Sequence, residues 1–224
     1  MRKFAIAALM MTGLTAAPRE VSFPTADGGV IWADLYGAGN RGVVLAHGAK
    51  FDKASWEKQA EVLAKAGFRV LAIDFRGYGK SRGADESAPG RGEKYEDVLA
   101  AVRYLRENGA NTVSVIGASM GGGAAGNALI HARPGEIDRL ILLAPVPVAE
   151  PQRLRGPKLF VVASGDGLAA KVREQFETAP EPKALLILEG SAHAQFLFET
   201  DQGERLMSKI SEFLSESKTE AKEK

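Results

Sequence analysis

Ser119 stands at the centre of Gly117-Ala118-Ser119-Met120-Gly121. An aliphatic run, Val113 to Ile116, comes before it and a Gly/Ala-rich stretch comes after. A hydroxyl in that setting can act as a nucleophile. Glycines two residues away on either side leave room for a strand to reverse into a helix, and the turn residue is held in a strained conformation with its side chain outward. The helix that follows brings unpaired N–H groups and a positive dipole end beside the hydroxyl. Attack on a carbonyl, with backbone donors holding the oxyanion, is the chemistry such a turn serves. The pentapeptide alone also fits an ordinary strand-to-helix turn, so the case depends on what shares the strand ends with it.

A hydroxyl nucleophile needs a base, and the base needs an acid to fix its tautomer. The chain has three histidines, at 47, 131 and 193. His131 follows Ser119 on the same predicted helix, roughly 18 Å away at about 1.5 Å per residue, and cannot reach it. His47 lies in a His-Gly turn, where it reads as structural. His193, in the loop after the last predicted strand, is the base. Asp166 closes the preceding strand and is the acid; its other reading is the N-cap of the next helix. Glu150 is the substitute acid, while Asp138 falls at the wrong end of its strand. The oxyanion donors expected are the backbone N–H groups of Met120, within the turn, and Ala49, after His47-Gly48. Phe51 and Phe75, with Met120, are candidate walls for a substrate or else packing within their loops.

These residues need a scaffold. The segments 20–23 and 30–35, joined at Asp27-Gly28-Gly29, predict a hairpin. Short apolar runs then alternate with helical patterns: strands over 42–48, 68–74, 113–117, 137–143, 159–163 and 184–188, and helices over 53–66, 120–130 and 169–178. Two more helices carry Tyr95, Val98, Leu99, Val102 and Leu105, and Leu206, Met207, Ile210, Phe213 and Leu214 at helical spacing. Alternation of this kind predicts an α/β fold with a mostly parallel sheet covered on both faces and ligands at the carboxyl ends of its strands. His47-Gly48, Asp74, Ser119, Asp166 and His193 all fall at those ends.

Composition narrows the classes further. A net charge of +1 without a basic run argues against a nucleic-acid partner. The absence of cysteine excludes disulfides, thiolate metal sites and a cysteine nucleophile, and no histidine spacing suggests a metal. Residues 1–17 have the form of a signal peptide: Arg2-Lys3, an apolar run from Phe4 to Leu14 too short to span a bilayer, then Thr15-Ala16-Ala17. They predict export to the periplasm or beyond, the alternative being a cytoplasmic protein started at Met10 or Met11. Residues 18–214 form one domain, 215–224 a charged tail, and no later stretch is apolar enough to span a membrane. Nothing in the sequence fixes an oligomeric state.

The order Ser119, Asp166, His193 on alternating strands and helices resembles the α/β-hydrolase family. So do the His-Gly after the third strand and the run Asp74-Phe75-Arg76-Gly77-Tyr78-Gly79-Lys80-Ser81. The resemblance covers nearly all of the chain after residue 17. It implies an eight-stranded sheet with an antiparallel second strand, and hydrolysis of an acyl bond without a cofactor. The members most similar are small esterases and dienelactone-hydrolase-like proteins; the latter usually carry Cys where this chain has Ser119. Thioesterases, amidases and acyltransferases share the machinery, and a non-catalytic binding protein of the same fold is the alternative of another class. The family's cap usually follows the sixth strand. Here 145–156 is too short for one, which points to small or accessible esters as substrates. Gly121-Gly122-Gly123-Ala124-Ala125-Gly126 satisfies a dinucleotide-binding pattern. It begins four residues past the strand, however, and no acid ends the next strand, so a nucleotide cofactor is not expected.

Overall fold

The computed structural model describes residues 17–85, 87, 88, 90 and 92–216. The proposed signal segment and the tail beyond residue 216 lie outside them, apart from Ala17. One eight-stranded sheet organises the rest. Its strands are β1 (Arg19–Pro24), β2 (Val30–Tyr36), β3 (Arg41–Ala46), β4 (Phe68–Ile73), β5 (Thr112–Ala118), β6 (Arg139–Leu143), β7 (Lys158–Ala163) and β8 (Lys183–Leu188). They lie side by side in the order β1-β2-β4-β3-β5-β6-β7-β8. β2 runs antiparallel to both its neighbours, and every other pairing is parallel.

Among the described residues five α-helices cover the sheet: α1 (Glu57–Lys65), α2 (Lys94–Glu107), α3 (Met120–His131), α4 (Ala169–Thr178) and α5 (Gly203–Ser215). Alternate strand residues divide the core in two. Val44, Ala46, Val113 and Val115 face α2, α3 and α4, meeting Val98, Val102, Ala125, Ala128 and Val172. Val43, Leu45, Ile116 and Ala118 face α1 and α5, meeting Trp56, Leu63, Leu206 and Ile210. The central strands are apolar on both faces because both are covered, which is why their sequences read as continuous aliphatic runs.

The connectivity places the site. From β3 the chain crosses α1 to β4 on one side, then returns over α2 to β5 on the other. The connections after β3 and β5 therefore leave in opposite directions, opening a crevice between their carboxyl ends. Ala49 follows β3 and Ser119 follows β5.

Several boundaries differ from the sequence reading. The helix expected over 53–66 starts as a 3-10 turn, Lys53–Trp56, because Asp52 Oδ1 accepts the Ala54 N–H at 2.9 Å and tightens the entry. β6 begins at Arg139 rather than at residue 137, since the Asp138 carboxylate turns aside to accept the Val113 N–H at 2.8 Å and Arg106 Nη2 at 2.7 Å. The stretch after His193, expected as a loop, forms a 3-10 turn, Ala194–Glu199. α5 runs through Ser215, and Arg139 Nη2 holds the Glu216 carbonyl at 2.6 Å, one residue past the helix. No helix among the described residues is long and apolar enough to cross a membrane.

Candidate active site

Ser119 has φ 50° and ψ −113°, a left-handed conformation rarely adopted by a residue with a side chain. The backbone around it holds it there. Its N–H donates to Leu143 O at 2.9 Å, and its carbonyl accepts from Val146 N at 3.0 Å and Gly123 N at 3.1 Å. A Cβ on Gly117 would collide with the Gly121 carbonyl, and one on Gly121 with the Ala46 carbonyl. Both glycines are thus required by close backbone approach, as the spacing predicts. The hydroxyl is left half-buried at the head of α3.

His193 Nε2 lies 2.8 Å from Ser119 Oγ, and His193 Nδ1 lies 2.7 Å from Asp166 Oδ2. An ionised carboxylate accepts only, so Nδ1 carries the proton and Nε2 is free to accept the serine proton. The Asp166 side chain is 2% exposed and that of His193 38%, so the acid is shielded while the imidazole meets the crevice. Asp166 Oδ1 also accepts the Leu168 N–H at 2.7 Å, just ahead of α4. The N-cap reading is not met: this bond closes a turn ahead of the helix, whose N-cap is Leu168 and carries no side-chain cap. The other acids are elsewhere: Glu150 pairs with Arg153, and Asp138 with Arg106. His131 is exposed at the end of α3, its ring stacked on Tyr95 at 4.3 Å.

The loop after β3 lies beside the nucleophile: a Cβ on Gly48 would sit 3.4 Å from that of Ser119. Its peptides are pinned on several sides. Gly48 O accepts from His47 Nδ1 at 2.8 Å and from Phe51 N at 3.0 Å, and Ala49 O accepts the Tyr78 hydroxyl at 2.9 Å. The Gly48 carbonyl and the Ala49 N–H belong to one peptide plane, so fixing the first orients the second. The Ala49 N–H itself meets no acceptor among the described residues. Met120 opens α3, where first-turn N–H groups lack intrahelical acceptors. His47 is buried and accepts the Phe75 N–H on Nε2 at 3.2 Å. Burial holds its pKa below the usual histidine value and keeps it neutral, which matches one donating and one accepting nitrogen.

The expected substrate walls divide. Phe75 is fully buried and packs edge-on against His47 with centroids 5.1 Å apart, so it cannot touch a ligand. That expectation is corrected: the loop after β4 turns the ring into the core beneath the site. Phe51 is half-buried and borders a cavity of 460 Å³ with Ala49, Lys50, Asp52, Ser55, Tyr78 and Gly79. Its ring meets Phe196 edge-on at 5.0 Å, and Phe196 is 45% exposed. Phe196 was missed because it sits on the unanticipated 3-10 turn after His193. Two larger cavities, 590 Å³ and 620 Å³, open elsewhere, and none of the three is lined by Ser119, Asp166 or His193. Among the described residues no three His, Asp or Glu side chains group as metal ligands.

The α3 glycines have a packing role. Added Cβ atoms on Gly122, Gly123 and Gly126 would strike Pro145, Val146 and Val148 of the segment after β6. That segment crosses the helix closely and contains one 3-10 turn, Pro151–Arg153, with no inserted cap.

Comparison with known proteins agrees with this architecture. A family model described as serine aminopeptidase, S33, matches residues 39–176. A Synechocystis protein named as a candidate non-heme chloroperoxidase is 38% identical over 120 residues, covering 53% of this chain and 41% of the relative. A rat protein named as a candidate protein-lysine deacylase, ABHD14B, is 29% identical over 167 residues, covering 71% of this chain and 78% of the relative. The chain thus spans less than half of the first relative and most of the second. Among solved structures, a CIB-like hydrolase of Thermoplasma acidophilum superposes with a TM-score of 0.72 at 26% identity, covering 89% of this chain and 98% of that one.

Proposed function

The chain belongs to the α/β-hydrolase family, and from that membership we propose that it is a serine hydrolase cleaving carboxylic esters of small or accessible substrates through an acyl-enzyme. The reading rests on one observation, the continuous run of hydrogen bonds from Ser119 Oγ through His193 to Asp166 at 2.8 Å and 2.7 Å. In this reading Ser119 attacks the ester carbonyl while His193 Nε2 takes its proton. Asp166 holds the imidazole tautomer and stabilises the imidazolium. The Ala49 and Met120 N–H groups receive the oxyanion. His193 then protonates the leaving alcohol, and water repeats the sequence on the acyl group. Phe51, with Phe196 beside it, supplies the apolar wall.

Hydrolysis of a panel of acyl esters, with Ser119→Ala as the control, tests this. The variant should lose roughly three orders of magnitude or more in kcat, and a serine-directed phosphonate should label the wild type alone. Wild-type turnover in Ser119→Ala, or no turnover and no labelling of the wild type, would defeat the proposal.

A second reading, removal of an acyl group from a lysine side chain, is favoured by the length of the match to the rat relative. The capless segment after β6 leaves an acyl group on a protein surface room to enter. Acyl-lysine peptides and thioesters in the same panel discriminate between the readings. The proposal extends to export through residues 1–17: protein from the native host should begin at or after Pro18 by mass spectrometry, and an intact Met1 would oppose it.

A further inference from the structure

Gln195 is a long polar side chain, only 4% exposed, two residues past His193 and outside the proton path. It bridges two loops. Its Oε1 accepts the Gly48 N–H at 3.3 Å, and its Nε2 donates to Ser55 Oγ at 3.0 Å. Ser55 Oγ in turn donates to Asp52 O at 2.6 Å, so the bridge is anchored on the turn leading into α1. The amide can face only one way, since the flipped amide would set two donors against each other at Gly48. The intervening Ala194 is 1% exposed and has φ 55°, a left-handed conformation that costs a residue with a Cβ. That kink lets the side chains on either side of it diverge, His193 toward Ser119 and Gln195 beneath the loop after β3. A Cβ on Gly48 would lie 3.3 Å from Gln195 Oε1 and crowd the contact.

From this geometry we infer that Gln195 is a positioning residue that locks the loop bearing the base to the loop bearing the Ala49 oxyanion donor, so that both are set at once. The inference rests on the serine-hydrolase reading above. Gln195 acts in two ways. By engaging the Gly48 N–H it removes that donor from competition and leaves the next one, on Ala49, facing the crevice. By holding the Gly48 N–H, while His47 and Phe51 hold the Gly48 carbonyl and Tyr78 the Ala49 carbonyl, it prevents the loop from drifting when negative charge develops on the substrate oxygen. Such a contact matters more in the transition state than in the substrate complex, because the ground-state carbonyl draws less on the donor.

The experiment compares wild type, Gln195→Met, Ser55→Ala and Ser119→Ala on the best ester of the panel. Gln195→Met keeps the volume and removes both hydrogen bonds. It should lower kcat by about tenfold to a hundredfold with KM within about twofold, less than the loss of a whole oxyanion donor. It should weaken binding of a trifluoromethyl ketone, whose adduct carries the oxyanion, by the same factor. Ser55→Ala should show the same pattern at a smaller size. It also serves as the test if Gln195→Met does not fold. Unchanged kcat and ketone affinity in the folded variants, or kcat and KM moving independently of ketone affinity, would overturn the inference. If the wild type itself has no Ser119-dependent turnover, the functional reading fails instead, and the two failures remain distinct.

Discussion

The two oxygens of Asp166 serve different partners, and substitutions can separate them. Asp166→Asn keeps an oxygen for the Leu168 N–H but turns an NH2 toward His193 Nδ1. The imidazole must then carry its proton on Nε2, where it cannot accept from Ser119, so kcat should fall by about 10³ to 10⁴ with little change in stability. Asp166→Ala should lose a similar factor and, in addition, about 1 kcal/mol from the lost hydrogen bond to the Leu168 N–H, read from thermal or urea melts. The two aromatics differ in the opposite sense. Phe51→Ala should raise KM for apolar esters at nearly wild-type stability. Phe75→Ala should cost about 3 to 5 kcal/mol because it empties a fully buried site. That Ser119, His193 and Asp166 come within hydrogen-bond reach was legible because each closes or follows a strand and carries a type of side chain that the others need. The sequence did not separate Phe51 from Phe75, since side-chain direction in a loop has no period to read. Gln195 and Phe196 escaped for a related reason. A six-residue 3-10 turn leaves no pattern, and the kink at Ala194 carries no glycine to announce it.

Helices and strands were legible where their periodicity was long. The helix at 169–178 is found at its expected bounds, and the hairpin, the central strands and the buried faces of α2 and α5 follow the spacing of their apolar residues. The position of β4 between β2 and β3 was not legible, because pairing order depends on which face each connection crosses; the family resemblance implied eight strands and an antiparallel second one, without their order. Long-range anchors were equally hidden. Arg76, 1% exposed, joins three elements: its side chain meets Asp97 of α2 through Nε at 2.8 Å and Nη2 at 2.6 Å, and Asp27 at the β1–β2 turn. Its own N–H also donates to Asp97 Oδ2 at 3.0 Å. This clamp fixes the loop after β4 that supplies Tyr78 to the Ala49 carbonyl. Arg76→Met should destabilise the fold by about 3 to 5 kcal/mol, since it leaves the fully buried Asp97 without its cation. Asp97→Asn should cost less, keeping an acceptor for the Arg76 N–H. Denaturant midpoints of the two variants give the comparison, and equal losses would mean that the retained hydrogen bonding contributes nothing beside the charge pairing.

The two edges of the sheet carry different electrostatics. The carboxyl edge holds the hydrogen-bonded Ser119, His193 and Asp166; the amino edge holds ion pairs, among them Arg106 with Asp138 and Arg139 with Glu216. Lys158 stands apart at that amino edge. It is fully buried at the start of β7, and its Nζ donates to Pro180 O at 2.6 Å and Pro182 O at 3.1 Å, neither of them an anion. Burial lowers its pKa from 10.5 to about 8. The consequence for the fold has a definite sign. Between pH 8 and 10.5 the unfolded chain holds a proton that the folded chain has released, so stability rises with pH across that window. Below it both states are protonated, and the buried ammonium's cost is fully present. Above it both are neutral, and the amine still has two hydrogens for its two carbonyls. The gain across the window amounts to about 3 kcal/mol. Lys158→Met removes the titration while keeping much of the volume. Urea melts of both proteins at several pH values from 7 to 10.5 should show wild type gaining on the variant as pH rises, whichever is the more stable at neutrality. A difference independent of pH would mean that water reaches this ammonium and that the amino edge does not exclude solvent from it.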